Sequence, residues 1–361
     1  MSYPRLMIDH TKLLENMNLM ADLCHSRGIS LAVTSKCLSS HPACMQAINL
    51  CRADMVADAR LANLARMETD KPRMLLRIPM LSELEDVPCG CEISLHSEIK
   101  TIRLLAQAAA GQKRRHQVML MTDLGDLREG ILYNDRDGLC RAAEAVLASP
   151  WLDLCGLGVN YSCFSGVLPD SRNLGWLRDL AQLLRDKYGV ALPLVSGGAT
   201  STLDCLVHEQ LPAGITNLRV GEAILTAYDS SGNQSLKALP HLGGLHNDAF
   251  ILEAEVVERK LKPSLPIGRV SCNAFGEAPV FEDKGEMLRG VCACGRLDID
   301  HASMFPLDAK VEVLGGSSDH TIVDMTRSPG YGVGDIVRFR LGYASLMRAF
   351  LSPHVEKVTV R

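Results

Sequence analysis

The chain has 361 residues, 47% of them hydrophobic and 22% charged, with a net charge of −4. This describes a globular chain with room for a large core, and its mild acidity gives no electrostatic basis for nucleic acid or an anionic membrane as a partner. No apolar run approaches the roughly 18 residues that span a bilayer, and "MSYPRLMIDH" lacks the basic-then-apolar order of a secretion signal, so a cytoplasmic location is expected.

In chain order, short runs rich in Val, Ile, Leu and Met alternate with amphipathic segments, the pattern of βα units around a parallel sheet. The runs are "LAVTSK" (31–36), "DMVADA" (54–59), "RMLLRIP" (73–79), "EISLHS" (92–97), "QVMLMTDLG" (117–125), "LCGLGVNYS" (154–162), "LPLVSGGAT" (192–200) and "NLRVGEAI" (217–224). Between them, helical spacing of apolar residues returns at 41–52, 98–110, 137–148 and 172–188. Eight such units predict a (β/α)8 barrel, a fold that typically takes about 250 residues, here over residues 1–235. From 230 to 248 the chain turns rich in Gly, Ser and Asn, and beyond it come β-prone runs: "FILEAEVVERK", "MLRGVCACGRLDID", "AKVEVLGG", "HTIVDM" and "DIVRFRLGY". They predict a C-terminal all-β domain over 236–361, to which residues 3–9 add a strand. Thirteen cysteines lie singly apart from "CGC" (89–91) and "CAC" (292–294), and in a chain this long they read as reduced, buried thiols. Neither pair has a second pair at zinc-like spacing, so no metal site is expected.

In a barrel the chemistry gathers on the loops that follow the strands. Those ends carry Lys36, Asp58, Arg77, His96 with Glu98, Asp123 with Arg128, Asn160 with Ser162, Ser196 with Thr200, and Arg219. In "VSGGATSTL" (195–203), Gly197 and Gly198 let the backbone approach an anion, and Thr200 and Ser201 stand where a helix would begin with free N–H groups. Gly221 follows the eighth run, and the loops after strands seven and eight are where barrels often bind phosphate. A lysine after strand one with a phosphate cradle opposite suits a phosphorylated aldehyde held covalently by the lysine, and pyridoxal 5′-phosphate (PLP) is the cofactor that fits. Arg219 at the pyridine nitrogen would donate a hydrogen bond without surrendering its proton, leaving the ring a weaker electron sink. That favours reversible removal of one α-proton.

These fragments resemble the fold type III PLP enzymes of the alanine racemase superfamily, and most closely its ornithine racemase branch. The shared order runs through nearly the whole chain: "PRLMIDH", "VTSKCLSSHP", "MLLRIPMLSE", "DLGDLREG", "GVNYSCF", "SGGATSTL", "LRVGEAIL", "NAFGEAPVFEDKGE", "GRLDID", "VLGGSSDH" and "VGDIVRF". The resemblance implies that Lys36 binds PLP covalently and acts as base on one face of the substrate Cα. It implies Arg128 beside the cofactor's phenolic oxygen and in contact with substrate, Arg219 at the pyridine nitrogen, and Asn160 where alanine racemases usually have a histidine against the ring. Ser196, Gly197, Gly198, Thr200, Gly221 and Tyr343 are implied as phosphate ligands, and Ser40 falls where alanine racemases often supply a tyrosine hydroxyl. Such enzymes are head-to-tail homodimers with shared active sites, and Asp300 matches a residue of the β domain that reaches toward the partner's site.

The chain departs from that pattern at the second base. Alanine racemases use a tyrosine from the β domain, whereas "IGRVSCNAFGEAP" (267–279) has none. Cys272 is the nearest titratable group there, and related decarboxylases place a cysteine on that face; Asp300, Asp298, Asp319 or a water are the alternatives. A basic substrate such as ornithine needs a carboxylate for its distal ammonium, and Asp319 in "GGSSDH" is singled out among Glu277, Glu282, Asp283 and Asp300. The expected activity is thus a PLP-dependent amino-acid racemase, with a decarboxylase of the same fold or a non-catalytic PLP carrier as rivals.

Overall fold

The eight apolar runs form short parallel strands in the computed structural model, which describes residues 2–360. They are Ser30–Thr34, Met55–Asp58, Arg73–Leu75, Ile93–His96, His116–Asp123, Leu152–Val159, Leu194–Ser196 and Asn217–Val220. Each pairs with its neighbours, and the last closes on the first through Leu218 opposite Leu31 and Arg219 opposite Ala32. Alternate side chains of a strand point to opposite faces. Ala32, Met55, Ala57, Met74, Ile93, Leu95, Met119, Met121 and Cys155 accordingly fill the barrel interior. Methionine suits that taper because its unbranched side chain fills irregular gaps.

The intervening helices form where apolar spacing and caps agree. Ser171–Tyr188 opens on a capping box in which Asp170 accepts from the Asn173 N–H and the Asn173 amide oxygen accepts from the Asp170 N–H, and it stops at Gly189 with φ 67°. Leu174, Leu177, Leu180, Ala181 and Leu184 bury one face of it. Truncating one of these leucines to alanine costs about 2–5 kcal/mol. Helices Pro42–Leu50, Ile99–Gly111 and Arg136–Leu147 match the other segments of helical spacing.

Two compact units divide the chain: Thr11–His246, which holds the barrel, and Asn247–Arg361 together with Met1–His10. In the second, the strands run in the order Met304–Pro306, Ile336–Leu341, Phe250–Pro263, Glu286–Cys292, Thr321–Asp324 and Glu312–Gly316, all antiparallel. Phe250–Pro263 bends at a bulge between Val256 and Glu258. Its first half also pairs with Arg5–Asp9, which in turn pairs in parallel with Glu356–Val360. Leu252, Ala254 and Val256 alternate inward to meet Leu6, Ile8, Val337 and Phe339 in a fully buried core. The unit also carries a helix, Tyr343–Leu351, with Leu346, Ala349 and Phe350 buried. The sequence reading passed over that helix because a single nine-residue segment among strands offers little periodicity. Among the described residues all thirteen cysteines are unpaired, and all but Cys89, Cys163 and Cys272 are buried. No helix among them is long and apolar enough to cross a membrane.

Candidate active site

The first barrel strand ends by turning a lysine outward between buried neighbours. Ser35 and Cys37 are sealed into the fold, whereas Lys36 is exposed. Ser35 fixes that strand end by donating to Asp58 Oδ2 at 2.9 Å and sharing the Ala57 carbonyl at 3.2 Å. Burial pushes the Asp58 carboxyl up, partly offset by the Arg60 N–H and the Asn63 amide that donate to it. Thr34, two residues after the interior Ala32, projects to the same inner side. Its hydroxyl is buried and has no hydrogen-bond partner among the described residues.

The loop after the fifth strand, "DLGDLREG", is built by its own carboxylates. Asp123 Oδ1 accepts from the N–H groups of Gly125 and Leu127, turning the chain back. Asp126, 1% exposed, reaches across to the loop after the sixth strand and accepts from the N–H groups of Cys163, Phe164 and Ser165 at 3.0–3.1 Å. Gly130 closes the loop at φ +124°, where a Cβ would lie 2.5 Å from the Thr122 carbonyl carbon, so only glycine fits. Arg128 and Glu129 form a two-pronged ion pair within this frame. Burial works against the charge on Arg128, but the hydrogen-bonded Glu129 together with Cys163 and Asp126 holds the guanidinium above its ordinary range.

Arg219, on the eighth strand, is 3% exposed and lies across the top of the interior. It donates to Ser196 Oγ at 2.5 Å, to the Val159 carbonyl at 2.6 Å and to Asn160 Oδ1 at 2.9 Å. Burial lowers its pKa to about 10, which still leaves it charged at neutral pH. The Asn160 amide nitrogen donates onward to Glu129 Oε1 at 2.5 Å. Ser196 Oγ donates to Asn217 Oδ1 at 2.6 Å, and the Asn217 amide reaches Ser30. The Ser196 hydroxyl, expected on a phosphate, is thus engaged by Arg219 and Asn217.

The seventh and eighth loops are drawn together by Thr200, whose hydroxyl accepts from the Ala223 N–H at 3.2 Å. Gly198 adopts φ +109°, and a Cβ on Gly221 would lie 3.0 Å from that of Thr34, which brings this loop against the end of the first strand. Glu222 binds the hydroxyl and N–H of Ser230 and has no bond to Arg219. Ser40, at φ 55°, donates to the Asn63 carbonyl at 3.4 Å, toward the loop after the second strand.

The remaining expected residues belong to the second unit. Cys272 is exposed, beside a turn in which Asn273 Oδ1 accepts from Phe275 and Glu277 N–H and Arg296 grips Glu277 with two bonds. Asp300 caps the turn His301–Ser303, its side chain accepting from Ala302 N–H at 3.3 Å and its backbone tied to Ser345 Oγ. Asp319 is exposed and accepts from Ser318 Oγ. Tyr343 opens the helix Tyr343–Leu351. The sequence reading did not single out Thr34, Asp126 or Glu129. The available signals were a hydroxyl inside an otherwise apolar strand and two further carboxylates in one eight-residue loop.

A family model described as alanine racemase, N-terminal domain, matches residues 8–229, more than half of the chain. The chain belongs to the alanine racemase family. Ornithine racemase of Acetoanaerobium sticklandii is 40% identical over 357 residues, covering 98% of this chain and 99% of that protein. Lysine racemase of Thermotoga maritima is 33% identical over 361 residues, covering 99% of each. Both relatives are racemases and therefore isomerases. Alanine racemase from a D-cycloserine-producing Streptomyces lavendulae superposes with a TM-score of 0.75 at 16% identity, over 100% of this chain and 98% of that one. The barrel followed by an antiparallel sheet unit is thus the alanine racemase fold.

Proposed function

We propose that this member of the alanine racemase family interconverts the L and D forms of a basic amino acid such as ornithine, using PLP and working in the cytoplasm as a homodimer with shared sites. The observation that carries the reading is one barrel mouth presenting an exposed amine, Lys36, together with a buried permanent cation, Arg219. The residues there fit the cofactor. Thr34 offers an unpartnered buried hydroxyl beside Gly221, and a Cβ on Gly197 or Gly198 would lie 2.8 Å from Ile215 Cγ2 or Thr202 Oγ1, so at those two positions the loop presents bare backbone. Those groups would hold the phosphate, with Ser40 as a further contact. Ser196 acts through Arg219.

When bound, PLP draws the electron pair of a breaking Cα–H bond into its ring, which acidifies an attached amino acid. Lys36 Nζ takes the α-proton on its face of the substrate. Arg219 would face the pyridine nitrogen and donate a hydrogen bond while keeping its own proton, since even at about 10 its pKa stays above neutrality. An arginine at that position, where decarboxylases of this fold usually keep a carboxylate, supports racemisation over decarboxylation, and the nearby Glu222 is bound to Ser230. Arg128 orients the carboxylate end of the substrate, and Asp319 is assigned to its distal ammonium. The opposite-face group is Cys272 or Asp300, supplied by the β unit of a second copy. The test incubates L-ornithine or L-lysine with the enzyme and PLP in heavy water. Deuterium at Cα together with the D-isomer is expected; release of carbon dioxide, or a PLP spectrum with no exchange, would point to the rival activities.

A further inference from the structure

Glu129 lies between two residues assigned above to the cofactor and has no assigned task of its own. Adjacent side chains of an extended strand face apart, yet Arg128 and Glu129 meet, because Leu127 at φ 55° and Gly130 at φ +124° coil the loop between them. Glu129 Oε1, one of the two carboxylate oxygens that Arg128 binds, also accepts from the Asn160 amide nitrogen. Asn160 in turn presents its oxygen to Arg219. That amide therefore spans an anion and a cation, with each end of its dipole satisfied. Turned over, it would set its NH2 group against the guanidinium.

Arg219 needs that arrangement. It is a buried cation whose direct acceptors, Ser196 Oγ, the Val159 carbonyl and Asn160 Oδ1, are all neutral. A buried charge without an anion is costly. The hydrogen-bond path from Arg219 through Asn160 ends on Glu129.

We infer that Glu129 is a positioning residue and shared counter-charge, clamping Arg128 directly and fixing Arg219 through the Asn160 amide. This rests on the reading of the barrel mouth as a PLP site. Its consequence is electrostatic. Neutralising Glu129 adds one net positive charge to the mouth and disfavours the protonated form of the bound chromophore.

The test uses the full chain loaded with PLP and reads the pH at which the cofactor's visible absorption titrates, alongside PLP affinity. Glu129→Gln is expected to move that titration to lower pH by more than about half a unit and to weaken PLP about tenfold or more. Glu129→Asp keeps the charge and is expected to retain the wild-type titration pH despite some loss of affinity. Adding Glu129→Gln to Asn160→Ser is expected to weaken PLP by less than the product of the single effects, because both cut one relay. Wild-type titration and affinity in Glu129→Gln, or equal displacement in the Asp and Gln variants, overturns the proposal. Should Glu129→Gln fail to fold, Glu129→Asp alone decides, a displaced titration being the contrary result. A wild-type chain that gains no visible band refutes the PLP reading itself, and the proposal with it.

Discussion

Arg219 carries its charge at 3% exposure because three oxygens and a relayed carboxylate surround it. The same economy of placement governs Asp126, whose two oxygens take three backbone N–H groups from another loop. Asp126→Ala would leave those donors without their acceptor and is expected to destabilise the protein by about 2–4 kcal/mol, since charge-assisted hydrogen bonds contribute about 1.5–3 kcal/mol each and partial rehydration recovers some of the loss. Urea unfolding checks this; a change under about 0.5 kcal/mol, the scale of an unremarkable surface substitution, would contradict it. The sequence places Lys36, Asn160 and Arg219 at or next to strand ends and Arg128 in the loop after the fifth strand, and the fold puts them there, while their roles remain part of the proposal. Glu129 was not legible in the sequence, since nothing in "DLGDLREG" says which carboxylate crosses to the next loop. Thr34 was missed for a related reason: an unpartnered hydroxyl is a property of the surroundings and not of the residue.

Strands show the same division between pattern and contact. All eight barrel strands lie within or close to the apolar runs, because a strand buried on both faces reads as a continuous hydrophobic stretch. What the runs concealed is a polar cluster between the barrel wall and the helix Ile99–Gly111. Ser94 Oγ bonds His96 Nε2 at 2.8 Å and His116 Nε2 at 2.7 Å, on the side of the strand opposite the interior residues Ile93 and Leu95. Burial lowers the pKa of His96 to about 3 and that of His116 to about 4. Both are neutral in the fold, so below their ordinary value of 6.5 the unfolded chain binds the extra protons. Stability is therefore expected to fall as pH drops from 6.5 toward the folded values, and to be unaffected by these groups above it. His116→Gln should flatten that decline in a series of denaturant unfolding curves. An unchanged slope would show that the cluster does not titrate as described.

At the scale of the whole chain, composition and alternation revealed a barrel followed by a β unit, and the shared order of motifs tied both to the alanine racemase family. The sequence reading sets the domain boundary at 235/236; in the fold the barrel unit runs as far as His246 and includes a small pairing of Tyr228–Asp229 with Gln234–Ser235. The division of labour proposed for the two faces of the substrate has a separable outcome. Cys272→Ala or Asp300→Asn, whichever removes the opposite-face group, should lower formation of the D-isomer at least about a hundredfold, within the range for loss of a general acid–base group, while deuterium exchange from the Lys36 face continues. Equal loss of exchange and inversion would place that residue elsewhere in the chemistry. The most direct measurement treats the PLP-loaded protein with borohydride and maps the trapped adduct by mass spectrometry. A pyridoxyl phosphate group on Lys36, absent from Lys36→Ala, is the predicted result; an unlabelled protein, or a label carried by another lysine, would contradict the assignment.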